Sequence, residues 1–357
     1  MANAIRLKLP SSNLRIGWIV FAPGEGVRGK KLAPHVGKFR GSGLNKCNDI
    51  LMTLSQLVKE FEYLKKNRRL RRNADLCLAE VGHFALESHK LLSDSTQRVA
   101  IGWEGTGKKS YSVFSANGAW SRGVNDAEFI FDSLEFDIEW QNYEECVTQS
   151  PGTGRLEGID ARLANRVVYT AVMAWASAVD IFQPSNGLAG TFLEMLIGPT
   201  ISILSGREET GAVTIPVPGQ AATEKVTVDI SFHGANQSLA VPTKISTRER
   251  ISQVYVHAGI LESAFPKTYK TILVAGNETN AVHPRGAKKS AANMVLKETL
   301  VPGTIALYQK YISHIDGIYY LDPPARYLSG SERGLPRIGT VGSLLAEDLS
   351  GHLLPPK

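Results

Sequence analysis

The sequence predicts an α/β protein, with a mixed central sheet flanked by helices and an additional N-terminal α+β region. Two long segments, Leu156–Ile181 and Gly187–Leu204, repeat apolar residues at helical spacing. Lys225–Phe232 (KVTVDISF) and Leu239–Thr247 (LAVPTKIST) alternate or run β-branched on either side of the turn-rich stretch His233–Ser238, the pattern of a β-hairpin. Helix-like and strand-like segments then alternate as far as Leu321, as a layered sheet-and-helix fold requires.

Taken in order, Ile16–Ala22 reads as a short buried strand, followed by the glycine-rich, basic stretch Gly24–Gly43. Asn48–Arg72 places Ile50, Leu51, Leu54, Leu57, Val58, Phe61 and Leu64 on one helical face. It ends in Lys65, Lys66, Arg68, Arg69, Arg71 and Arg72, cations that suit a helix C-terminus or a phosphate backbone. Leu76–Leu92 reads as a second helix, and Arg98–Phe114 and Phe129–Trp140 read as strand-rich. The turn formers Ser150-Pro151-Gly152-Thr153-Gly154 mark a boundary between an accessory region, 1–150, and a second domain, 151–357. Beyond the hairpin, Arg248–Ala264 is helical and Tyr269–Ala275 is a buried strand. Ser290–Ser313 is mostly helical with a break at Pro302-Gly303, and Gly317–Leu321 is a last strand closed by Asp322-Pro323-Pro324.

Composition narrows the class. The 357 residues are 43% hydrophobic and 21% charged, enough to bury a core and too few charges for wholesale disorder. No unbroken run of about 18 apolar residues occurs, so no membrane span is expected. The apolar stretch at Ile16–Ala22 is too short for a secretory signal and is interrupted by Gly17. Cys47, Cys77 and Cys146 form neither a CxxC pair nor a zinc spacing, which fits a reducing, cytoplasmic setting. The net charge of +6 suits a polyanionic partner without specifying one.

Two glycine motifs fail their chemistry. Gly24-Glu25-Gly26-Val27-Arg28-Gly29 fits GxGxxG, but Pro34 falls where the pyrophosphate-binding helix must run. Gly102-Trp103-Glu104-Gly105-Thr106-Gly107-Lys108 begins like a P-loop, but Lys109 stands where Ser or Thr must hold magnesium, and a strand-like segment follows. A glycine-rich turn explains both, and no nucleotide cofactor is expected. No G-x-S-x-G elbow supports a serine hydrolase.

The hairpin carries the chemistry. Asp229 lies on its first strand and Lys244 on its second, and facing positions on adjacent strands converge within about 5 Å. Glu194 sits within the apolar helix segment Gly190–Leu196, where a charge is costly unless paired or ligated. Two carboxylates offer hard oxygen ligands to Mg²⁺, and a lysine beside them orients water and stabilises charge on a phosphate. A structural ion pair across the hairpin and a solvated glutamate are the plainer alternatives.

Asp229, the hairpin and Lys244 resemble the PD-(D/E)XK nuclease core. The usual acid two residues before the lysine is replaced by Pro242. That pattern is similar to the CCGG/EcoRII-like group of type II restriction endonucleases, in which a following helix supplies the acid and opens with a basic–acidic–basic triplet. Here Arg248-Glu249-Arg250 follows Lys244 at that spacing, with Gln253 beyond it. The resemblance covers roughly 190–322. It implies a restriction-endonuclease-like core in 151–357, Mg²⁺ held by Asp229 and Glu194, and water positioned by Lys244. It further implies double-stranded DNA as substrate, 5′-phosphate and 3′-hydroxyl ends, and a homodimer or tetramer. The triplet would read G·C pairs, since arginine bonds guanine O6 and N7 and glutamate accepts from cytosine N4. The N-terminal region, outside the resemblance, would add DNA contacts, control assembly or read flanking sequence. One departure stands out: His257 occupies the position of the group's relocated glutamate, and imidazole is a poor Mg²⁺ ligand. His257 is therefore a candidate ligand or base of a variant site, with Glu194 the preferred second carboxylate and Glu262 the next acid along the helix. Two rivals follow: a PD-(D/E)XK nuclease without site preference, and a DNA-binding protein whose active site has decayed.

Overall fold

In the computed structural model the described residues are 54–67, 70, 72–184, 187–219, 222–235, 237–246, 251–286, 288–299, 302–328 and 334–354. The strand expected at Ile16–Ala22, the glycine motif at Gly24–Gly29, Cys47 and the triplet Arg248-Glu249-Arg250 lie outside them.

A seven-stranded mixed sheet organises the C-terminal half. Its strands are β5 (Glu209–Pro216), β6 (Thr223–Phe232), β7 (Ser238–Val241), β8 (Thr243–Ser246), β9 (Tyr269–Asn277), β12 (Gly317–Tyr320) and β13 (Arg337–Thr340). The order is β13-β12-β9-β7-β6-β5, with β8 also on β9. β7, β8, β9, β12 and β13 pair in parallel, while β6 and β5 close the sheet as antiparallel strands. Both faces are covered, so β9 is apolar along most of its length. Ile272 and Val274 face one core together with Ile230, Phe232, Leu239 and Val241. Leu273 and Ala275 face the other, with Ile318 and Tyr320.

Helices α4 (Ala161–Phe182) and α5 (Leu188–Ser205) cover the first face. Asp160 caps α4, its Oδ1 accepting from the amides of Arg162 and Leu163 at 2.9 Å each. Gly187 and Gly206 flank α5 with φ of 100° and 66°, backbone that glycine adopts without strain. By length and composition α5 could cross a membrane, although its apolar residues form no unbroken run. It is 72% buried inside the protein and behaves as a core helix. On the other face, α6 (Ile251–Ala264) and α7 (Pro302–Tyr311) contribute Ile251, Val254, Tyr255, Ala258 and Ile305.

A six-stranded sheet comprises β1 (Gln97–Glu104), β2 (Tyr111–Ala116), β3 (Ala119–Trp120), β4 (Val124–Asn125), β10 (Thr279–Val282) and β11 (Val295–Glu298). β11 lies between β10, which continues from β9, and β1, to which it is parallel. Helices α1 (Leu54–Lys66), α2 (Ala74–Ser95) and α3 (Ser133–Gln149) pack beside α4 and α5 in the same core. The Phe61 and Trp175 rings are 4.7 Å apart, and Trp175 stacks on Phe192 at 5.3 Å. Ile50–Lys357 is one compact unit, with the turn at Ser150–Gly154 inside it.

Several expectations required correction. Phe129–Trp140 reads as strand but contributes to α3, because Asp132 accepts from the amides of Leu134 and Glu135 and the aromatics Phe136, Trp140 and Tyr143 fall on one helical face. Ser290–Ser313 is helical only in a short 3-10 turn at Ala291–Asn293 and from Pro302, since Val295–Glu298 is drawn into the sheet by pairing on both edges. The single strand expected over Leu239–Thr247 is divided at Pro242, which has no N–H to donate. Of the glycine motif, Gly102–Glu104 end β1 and only Gly105–Gly107 bend, while Lys109 Nζ donates to Asp322 Oδ1 at 2.6 Å and to the Pro323 carbonyl at 2.7 Å.

Candidate active site

The hairpin register sets Ile230 opposite Val241, so Asp229 on β6 comes level with Pro242. Pro242 turns its carbonyl to β9, accepting from the Val274 amide at 3.0 Å. The next two residues then turn to Asp229. The Thr243 amide donates to Asp229 Oδ2 at 2.8 Å, and Lys244 Nζ donates to the same oxygen at 2.6 Å. Asp229 Oδ1 accepts no hydrogen bond from the described residues. The two side chains are 24% and 15% exposed, so the pair sits at a rim that water and a substrate reach.

A cleft of about 1340 Å³ opens over this pair. Glu194 enters from the second turn of α5, and His257 and Gln253 from α6. Burial pushes the His257 pKa below its ordinary value; the nearby Lys244 charge adds to this and Asp229 opposes it. The ring is therefore neutral at pH 7. The structure thus brings Asp229, Lys244, Glu194 and His257 to one cleft. Glu262 is not among the lining residues; it is exposed and its carboxylate accepts from the Lys267 amide.

Arg122 and Asp180 also line the cleft, and sequence reasoning missed both. They lie 58 residues apart, on a loop of the N-terminal sheet and on α4, with no shared motif to announce them. Lys225, Ser246, Thr191, Thr227 and Thr243 add to the polar lining.

Among the described residues no three His, Cys, Asp or Glu side chains gather closely enough to form a metal cage. Mg²⁺ does not require one, because it retains waters and binds through one or two carboxylates plus substrate phosphates. Asp229, with Oδ1 unengaged, and Glu194 both offer carboxylate oxygens to the cleft.

The mixed sheet and its covering helices form a restriction-endonuclease-like fold, with the hairpin carrying Asp229 and Lys244 at its cleft, and the structural neighbours support a DNA nuclease. The solved structure of the Type IIP restriction endonuclease Kpn2I is similar over 85% of this chain and 98% of that one, with TM-score 0.65 and 27% identity. A structure of the restriction endonuclease PspGI with substrate DNA aligns over 62% of this chain and 90% of that one, with TM-score 0.37 and 13% identity. No family model and no curated protein matches the chain. The type II restriction endonuclease resemblance and the expected fold class are borne out.

Proposed function

We propose that this chain is a Mg²⁺-dependent type II restriction endonuclease that cuts double-stranded DNA at a site containing CC/GG steps. The observation that carries the proposal is the convergence of Asp229, Lys244, Glu194 and His257 in one cleft on this fold. Asp229 and Glu194 would hold the ion, which when bound supplies positive charge against the scissile phosphate and acidifies water. Lys244 Nζ, anchored on Asp229 Oδ2, points one donor at the carboxylate and keeps others for the attacking water and the phosphate oxygens. His257, neutral and beside Lys244, accepts or relays a proton at the cleft wall. Arg248, Glu249 and Arg250, just before α6, would read G·C edges. A palindromic site calls for a two-fold symmetric reader, hence a cytoplasmic homodimer or tetramer. Residues 151–357 would carry the nuclease centre, and the N-terminal region, 1–150, would add DNA contacts, control assembly or read flanking sequence.

Pro242 and His257 favour a second reading, a DNA-binding protein that no longer cuts. Incubating phage DNA with the protein and Mg²⁺, then sequencing the ends, separates the possibilities. Discrete fragments with one shared end sequence support the proposal. A smear means a nuclease without site preference, and intact DNA that is nevertheless bound means a decayed centre.

A further inference from the structure

The cleft is lined by Arg122, Lys225 and Lys244 and by Asp180, Glu194 and Asp229, so its charged side chains balance. Arg122 is held firmly. Its backbone amide donates to Asp180 Oδ2 at 2.9 Å, Nε to Oδ2 at 2.8 Å and Nη2 to Oδ1 at 2.7 Å. This fork uses the Nε–Nη2 edge of the guanidinium. The Nη1–Nη2 edge, with its parallel N–H groups, has no hydrogen-bond partner among the described residues. The pair is partly exposed, at 29% for Arg122 and 25% for Asp180. An arginine already neutralised by a carboxylate adds little net attraction for a phosphate backbone. It retains directional donors in a fixed plane, with the side-chain entropy of ordering already spent. That is the chemistry suited to a base edge carrying two acceptors side by side, which in the major groove is guanine O6 and N7.

We infer that Arg122, buttressed by Asp180, is a sequence-reading residue that donates to a guanine of the DNA in the cleft. The inference rests on the restriction-endonuclease reading and adds a reader outside the Arg248–Arg250 triplet.

The test uses the full chain. The cleavage site is mapped on phage DNA, and Ca²⁺-supported binding is titrated on the mapped duplex and a scrambled one, at two salt concentrations. Arg122→Lys keeps the charge and loses the fork; Asp180→Asn keeps the shape and loosens the buttress. The expected result is a loss of about 5- to 150-fold on the mapped duplex for Arg122→Lys, with the scrambled duplex and the salt slope unchanged. Asp180→Asn should give a smaller loss of the same kind. Replacing one guanine of the site by 7-deazaguanine should weaken wild-type binding and leave Arg122→Lys indifferent at that position, which a merely structural pair would not produce. Equal losses on both duplexes would make Arg122 a backbone clamp and overturn the inference. So would unchanged discrimination in either folded variant. A wild-type protein that itself fails to discriminate would overturn the restriction-endonuclease reading and the inference together, an outcome visible before any variant is made.

Discussion

Lys244→Ala separates a catalytic lysine from a structural one. In the folded protein Lys244 Nζ is one of two donors to Asp229 Oδ2, and the Thr243 amide remains after its removal. Asp229 is 24% exposed, so water replaces the lost donor. The cost to stability should be about 1 kcal/mol, as for partly exposed ion pairs, and the melting temperature should fall by only a few degrees. The rate is a different matter. Removing a preorganised donor aimed at developing charge costs about 10²- to 10³-fold, or about 2.7–4 kcal/mol of barrier. Single-turnover cleavage of a plasmid carrying the site, at saturating protein and Mg²⁺, measures this step without the contribution of binding. DNA affinity in Ca²⁺ should stay near wild type. A cleavage rate within about threefold of wild type would remove Lys244 from the mechanism, and a collapse in melting temperature would show that the ion pair is there to hold the hairpin.

Asp229→Asn should abolish Mg²⁺-dependent cutting and weaken metal binding in calorimetry, because an amide is a poorer ligand for a hard cation; Glu194→Gln should do the same, and normal cutting by it would place the second carboxylate elsewhere. His257→Glu should keep or raise the cleavage rate and His257→Ala should lower it, while indifference to both would leave the ring without a part in the chemistry. Arg250→Ala should weaken binding to the mapped duplex by about 5- to 150-fold and to a scrambled one little; equal losses with a flattened salt slope would make it a phosphate contact. His89 is buried, with Nε2 bonded to the Ile130 carbonyl at 2.7 Å, and burial holds its pKa below 6.5. The unfolded chain therefore takes up the proton first, so the melting temperature should fall as the pH drops below about 6.5, and a scan of His89→Gln over the same range should show a shallower slope.

The elements that spell their own periodicity were legible. Tyr269–Ala275 reads as a buried strand because both its faces are covered, and α4 and α5 are apolar nearly all round because each is enclosed. Asp229 and Lys244 were legible because a hairpin brings near neighbours in sequence together. What escaped depends on distant partners. β11 is four residues long and is a strand only by virtue of its neighbours β10 and β1, and Gly102 of β1 pairs with Val295 from far away in the chain. α3 was hidden by Phe129–Phe131, whose bulky residues precede its cap and mimic a strand. Arg122 and Asp180 carry no local signature, since neither has a role until α4 and the N-terminal sheet are packed.

The seam along β1 and β11 also bears on portability. A cartridge cut at residue 150 to fuse this nuclease to another DNA reader would strip β1 from β11 and expose an open strand edge. It would also strip Phe61 and Phe84 from Trp175, leaving an uncovered aromatic wall. Such a fragment would be an aggregate rather than a tool. Changing the target of this enzyme means rewriting residues in place within the intact fold.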